Sequence, residues 1–195
     1  WIEQNREFSG LEIEKRTEIV SELKNISYYL SRTLTLVDNK ISMIAKDLRL
    51  KQKFMFMGRK YNYPIALEGA LKMKELCYNF AEGFAAAELK HGPIALVDKD
   101  TIVVAINNDG NKEQRLKMQN NIKEVKARGA YVLVVDCWGD KSVEYDDNIK
   151  IMKCNSHLSP LLSVVPLQLL AYYSAVYRDK NVDRPRNLAK SVTVE

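Results

Sequence analysis

Three short apolar runs, KFMFM (Lys53–Met57), TIVVAI (Thr101–Ile106) and AYVLVVD (Ala130–Asp136), alternate with longer segments of helical character, and this alternation constrains the fold more than any other feature. Each run is bounded by turn residues, such as Gly58 and the Asn107-Asn108-Asp109-Gly110 cluster, so each reads as a buried strand. A fourth strand is expected over Asn148–Met152. Lys112–Arg128 reads as a strongly charged helix closed by Gly129. Leu158–Arg178 is the most apolar helix, with Pro160 near its start and Pro166 expected to kink it or mark a broken entry. Gln168, in that apolar stretch, is expected to be a buried, hydrogen-bonded amide. Strands separated by helices pair in parallel through right-handed crossovers. The chain therefore reads as α/β, and the Gly58 turn into the next helix falls at the carboxyl edge of the sheet, where open α/β folds take ligands.

Ahead of this unit, Ser9 to about Leu50 carries apolar residues at three-to-four spacing, among them Ile19, Leu23, Leu30 and Val37, with Asp38-Asn39 as a candidate interruption. Such an arm cannot fold alone, so it is expected to pack on the domain or on a partner. The resulting division is a helical lead-in over 1–50, a domain over 51–180 and a tail over 181–195.

The densest chemistry lies in Pro64–Pro93, PIALEGALKMKELCYNFAEGFAAAELKHGP. Pro64 suits the first turn of a helix, because its missing N–H has no partner to lose there. Glu68, Lys72 and Glu75 then fall at i, i+4 and i+7, a polar stripe opposite Ala66, Ala70, Met73 and Cys77. Ala85–His91 reads as two further helical turns stopped by Gly92 and Pro93, with His91 in the last turn where the helix dipole favours a protonated imidazole. A carboxylate, an ammonium and a histidine brought close together are what proton transfer on a small polar substrate requires. The same residues also fit a plain solvated helix face with an ordinary i,i+4 pair and a capping histidine.

Composition excludes several classes. The net charge is +5 and the pI about 9.0, but the lysines are scattered among glutamates with no basic block interleaved with aromatics, which argues against nucleic acid. No run of eighteen apolar residues suggests a membrane span, and Glu3, Arg6, Glu12 and Glu14 break any signal-peptide core. Cys77, Cys137 and Cys154 are odd in number and lack C-x-x-C spacing, which points to reduced thiols in the cytoplasm. Two distant histidines and no cysteine cluster argue against a structural metal site. The start at Trp1, without an initiator methionine, suggests a piece of a longer protein.

The runs YPIALEGALKMKELCYNFAEGFAAAELKHGPIALVD and VDRPRNLAKSVTVE resemble, over about Lys53–Glu195, the second sugar isomerase (SIS) half of the isomerase domain in the glucosamine-6-phosphate synthase family. Such long gap-free motifs are far more specific than a short glycine fingerprint. The resemblance implies a three-layer αβα sandwich with five parallel strands, one more than the pattern shows. It implies conversion of fructose 6-phosphate and ammonia to glucosamine 6-phosphate, the ammonia coming from a glutaminase domain, with no cofactor. By the same resemblance Lys190 forms a Schiff base with the ketose carbonyl, Glu75 moves the proton between carbons 1 and 2, and His91 assists ring opening. Lys72 handles a proton or positions substrate, Ala189 touches the sugar through its backbone, and the tail covers the site. His91 is expected to serve the partner's site in a homodimer.

Elementary chemistry states what each role demands. A free lysine titrates near 10.4, so half-neutral Lys190 at pH 7 requires a depression of roughly three units, about 4 to 5 kcal/mol, from desolvation or from cations such as Arg184, Arg186 and Lys72. Glu75 needs apolar neighbours such as Leu71 and Leu76 to strengthen it as a base, and an imidazole both gives and takes a proton near neutrality. The family's serine-rich S-x-S-G-x-T phosphate loop belongs to the first SIS half and is not found in this sequence. The chain by itself is therefore expected neither to hydrolyse glutamine nor to make product. A different class, a non-catalytic phosphosugar sensor, shares the fold but needs neither Glu75 nor Lys190. A purely structural half that completes a site built elsewhere is a third reading.

Overall fold

The structure, a computed structural model, describes residues 12–139 and 142–188. Five parallel strands form one sheet in the order β2-β1-β3-β4-β5, with β1 at Lys53–Gly58, β2 at Phe80–Ala85, β3 at Thr101–Ile106, β4 at Tyr131–Asp136 and β5 at Asp147–Lys150. Every neighbouring pair is parallel, with Lys53 beside both Phe80 and Thr101 at the amino edge. Two-residue periodicity sorts the strand side chains. Phe54, Phe56, Ile102, Val104, Leu133 and Val135 face one layer, while Met55, Met57, Val103, Ala105, Val132 and Val134 face the other.

The first layer consists of α2 (Ile26–Asp47), α3 (Asn62–Cys77) and α5 (Ser159–Val176), and α4 (Lys112–Lys126) covers the opposite face through Met118, Ile122 and Val125. This is the α/β arrangement that the strand alternation predicts and the three-layer αβα sandwich that the resemblance implies. The extra strand is β2, FAEGFA, whose glutamate and glycine hide it in the sequence. It is an edge strand with only Ala81 fully buried. Gly83 is required there, since a Cβ would lie 2.8 Å from the Leu67 backbone of α3.

Three other expectations are corrected. The N-terminal arm breaks at Asn25, between α1 (Ile13–Lys24) and α2, and Asp38-Asn39 lies inside α2. Asp38 does not compete for backbone because its Oδ1 accepts from the Tyr173 hydroxyl at 2.6 Å, which ties α2 to α5. The Asn25 amide instead donates to Ser21 O at 3.1 Å. Helix α5 runs from Ser159 to Val176 with no broken entry at Pro166, which is buried within it. Gln168 is exposed, because it falls on the side of α5 away from the buried Leu162, Leu167 and Leu170. By length and composition α5 could cross a membrane, yet half of its span is buried, as a core helix of the sandwich.

All three thiols are unpaired. Burial, above all, pushes Cys77 and Cys154 up to about 12 and Cys137 up to about 11. Cys77 Sγ additionally donates to Ala171 O at 3.2 Å. At pH 8 the thiolate fraction of Cys77 is about a thousandfold below that of a thiol at its ordinary value of 9.0. Alkylation by iodoacetamide, followed by mass spectrometry, is therefore expected to be at least about a hundredfold slower on the native protein than on the unfolded one. Rapid native labelling of Cys77 would contradict this packing.

Candidate active site

Helix α3 returns from the carboxyl edge of β1 and ends at the amino edge, and this direction decides where the polar stripe sits. Its entry is tight: a Cβ on Gly58 would lie 2.1 Å from Asn62 O, so only glycine can stand where the strand turns into the helix. The helix starts at Asn62, with Pro64 in its first turn. Ala66, Ala70, Met73 and Cys77 are buried as the periodicity requires. On the outer face Lys72 Nζ lies 2.6 Å from Glu75 Oε2 and 3.8 Å from Glu68 Oε1. The stripe is an ion-paired unit, with Lys72 30% and Glu75 28% exposed at the side chain.

The hydrogen bond from Lys72 to Glu75, ahead of the two carboxylate charges, holds the ammonium above its ordinary 10.5. Lys72 is consequently cationic throughout the neutral range, which suits it to orienting Glu75 and not to acting as a base. Its contribution is fully present below the ordinary lysine value and is lost only as pH rises through the raised one. Of the apolar neighbours named for Glu75, Leu76 is half-buried, whereas Leu71 is 41% exposed and shields little.

The amino-edge location of Glu75 is fixed by the residues that link α3 to β2. Asn79 Nδ2 donates to Lys51 O at 3.2 Å and Phe80 N donates to Gln52 O at 3.1 Å, both just ahead of β1. His91 lies at the other edge. It ends a 3-10 turn, Leu89–His91, beyond the carboxyl end of β2, with a second such turn at Pro93–Leu96. The expected two α-helical turns over Ala85–His91 are thus β-strand end, where Ala85 pairs with Gly58, and 3-10 turn, which Gly92 ends at φ 149°. His91 is exposed and, like Glu88 and Lys90, is not brought to Glu75 within the chain. The six-residue strand alone separates the two edges by roughly 17 Å.

The tail forms the other side of a cleft at the amino edge. After α5 the chain turns back, and Arg186 N donates to the Tyr78 hydroxyl at 2.9 Å while the Arg186 guanidinium lies 4.1 Å from the centre of the Tyr78 ring. Arg178 donates to Asn79 Oδ1. Lys74, Glu75, Tyr78, Asn79, Arg186, Asn187 and Leu188 line an open cleft of about 400 Å³. Ala189 and Lys190 lie outside the described residues. Tyr78 and Asn79 have no sequence signature: only the docked tail shows their part. A second cleft, about 450 Å³, stands at the carboxyl edge between the loops after β1 and β3, lined by Lys60, Tyr61, Asn62, Asp109 and His157 among others. The carboxyl-edge location expected for ligands and the motif stripe are therefore at opposite ends of α3.

Comparison with known proteins gives this arrangement its relatives. The SIS domain profile matches residues 47–178. The glutamine–fructose-6-phosphate aminotransferase (isomerizing) of Methanosarcina mazei is 56% identical over 153 residues, covering 77% of the chain and 24% of the relative. That of Idiomarina loihiensis is 42% identical, covering 96% and 31%. The chain thus spans between about a quarter and a third of the length of these curated relatives. Among solved structures, the C-terminal domain of glucosamine-fructose-6-phosphate aminotransferase from Francisella tularensis superposes with a TM-score of 0.82 at 36% identity, over 90% of this chain and 49% of that one. Glucosamine-6-phosphate deaminase from Thermotoga maritima gives 0.66 at 29% identity, over 96% and 52%. The chain belongs to the SIS-domain family and matches the C-terminal isomerase half of the glutamine–fructose-6-phosphate aminotransferases.

Proposed function

We propose that this chain supplies the base, the Schiff-base lysine and a transferred histidine to an isomerase that makes glucosamine 6-phosphate from fructose 6-phosphate and ammonia. One observation carries the reading: the tail as far as Leu188 lies against the last turn of α3, beside Glu75. Two more residues extend the chain by at most about 7 Å, which keeps an amine at position 190 within side-chain reach of that cleft.

In this reading Lys190 condenses with the ketose carbonyl at carbon 2 and releases water, and ammonia then adds to that imine and displaces the lysine amine, which leaves the free imine of the sugar on carbon 2. Glu75 takes a proton from carbon 1 and returns it to carbon 2, while Lys72 holds its carboxylate in place. Ala189 meets the sugar through its backbone. The phosphate is held by the first SIS half and the ammonia arrives from a glutaminase domain, neither of which the chain contributes. His91, an edge away from Glu75 in its own chain, opens the sugar ring in the partner's site.

The trans arrangement is tested with mixed dimers of the full-length protein. Glu75→Gln and His91→Ala homodimers are each expected to be nearly inactive. Random mixing gives half heterodimers with one intact site of two, so activity is expected to return to about a quarter of wild type. No recovery, with heterodimers demonstrated by tagging, would show that Glu75 and His91 act within one chain or not at all.

A further inference from the structure

We infer that Tyr78 is a positioning residue, a latch that seats the C-terminal segment against the end of α3. Its catalytic consequence rests on the function proposed for Glu75 and Lys190, though its structural part stands separately. Tyr78 caps α3 at φ 58°, ψ 29°, the left-handed region. A helix usually ends there on glycine, since any Cβ is strained in that conformation. A bulky aromatic held in it is an outlier that calls for a use of the side chain.

The use is visible in its contacts. The hydroxyl accepts the Arg186 N–H at 2.9 Å. The ring carries the Arg186 guanidinium at 4.1 Å and has the Lys180 ammonium 5.8 Å from its centre. A glycine would cap the helix with less strain but would leave the tail without a backbone acceptor or a ring to lie on. The next residue, Asn79, is 4% exposed and joins Arg178 to the backbone of Lys51, so the residue pair fastens the end of α5, the tail and the start of β1 together. Tyr78 also stands three residues after Glu75, on the same side of the last helical turn, and Arg186 stands four residues before Lys190. Seating Arg186 on Tyr78 thereby fixes how far from Glu75 the closing residues begin.

Tyr78→Gly separates this role from a structural one. In the full-length protein relief of the left-handed strain offsets part of the lost ring contacts, so its melting temperature is expected to stay within about 5 °C of wild type. Its kcat is expected to fall about a hundredfold, with KM for fructose 6-phosphate within about threefold, because a misplaced catalytic group slows the chemical step more than it weakens binding. Hydrogen exchange over residues 182–188 is expected to accelerate at least about tenfold. Tyr78→Phe, which keeps the ring under Arg186, is expected to recover most of the rate, and Arg186→Ala, which leaves α3 untouched, to lose about tenfold. Unchanged exchange over 182–188 in Tyr78→Gly overturns the latch, as does wild-type kcat in that variant. If Lys190→Ala stays active, the Schiff-base reading fails while the exchange result still decides the latch.

Discussion

Lys190→Ala in the full-length protein is expected to lower production of glucosamine 6-phosphate by at least about a thousandfold, and Lys190→Arg by as much. An imine turns the ketose into an electron sink and requires a neutral amine, which alanine lacks and a guanidinium never supplies at working pH. The arginine control matters, because it keeps the positive charge and length of the side chain. A role confined to electrostatic binding would let arginine retain much of the activity, and coupled assay of product formation decides between them. The requirement on the lysine is severe, roughly three units of depression from 10.4. Lys74 and Arg186 line the cleft beside Glu75 and place positive charge there, one of the effects that lowers a lysine. A phosphosugar sensor would tolerate either substitution.

Glu75→Gln is expected to be as damaging to turnover, about a thousandfold, but to fail at a different step. The amide preserves the shape of the carboxylate and removes its capacity to take a proton from carbon. In the proposed order condensation with Lys190 precedes that transfer, so the sugar is still expected to form its imine. Exchange of the carbon 1 hydrogen with solvent, monitored by NMR, is expected to vanish. The variant also removes the charge at the 2.6 Å partner of Lys72 and leaves Glu68, at 3.8 Å, as its one ion-pair partner among the described residues. Both groups are about a third exposed, so solvent screens the pair and the fold is expected to lose little stability. A Glu75→Gln protein that still exchanges the carbon 1 hydrogen at the wild-type rate would move the base elsewhere.

How much of this could be read without coordinates varies with the physics. Buried parallel strands announce themselves as short apolar runs, and β1, β3 and β4 lie where those runs lie. The edge strand β2 escapes, because an edge next to a closely packed helix selects for Gly83 and leaves Glu82 exposed. The misplaced break in the arm has a similar origin: Asp38 reads as a helix breaker until its carboxylate is seen to hold Tyr173 across α5. Within the site, i,i+4 spacing suffices to align Glu68, Lys72 and Glu75 on α3. Spacing says nothing of a tail whose composition resembles a frayed end, and the seat for that tail, Tyr78, depends on one left-handed backbone angle. Separation of His91 from Glu75 is likewise a matter of strand direction, which neighbourhood in sequence disguises.

The central claim is that one sugar meets the amine of Lys190 and the carboxylate of Glu75 in the cleft at the end of α3. Borohydride reduction of the full-length protein in the presence of fructose 6-phosphate, with peptide mapping of the product, tests it most directly. The adduct is predicted on Lys190, in wild type and in Glu75→Gln alike; a reduced adduct on Lys72 or Lys74, or none at all, would contradict it.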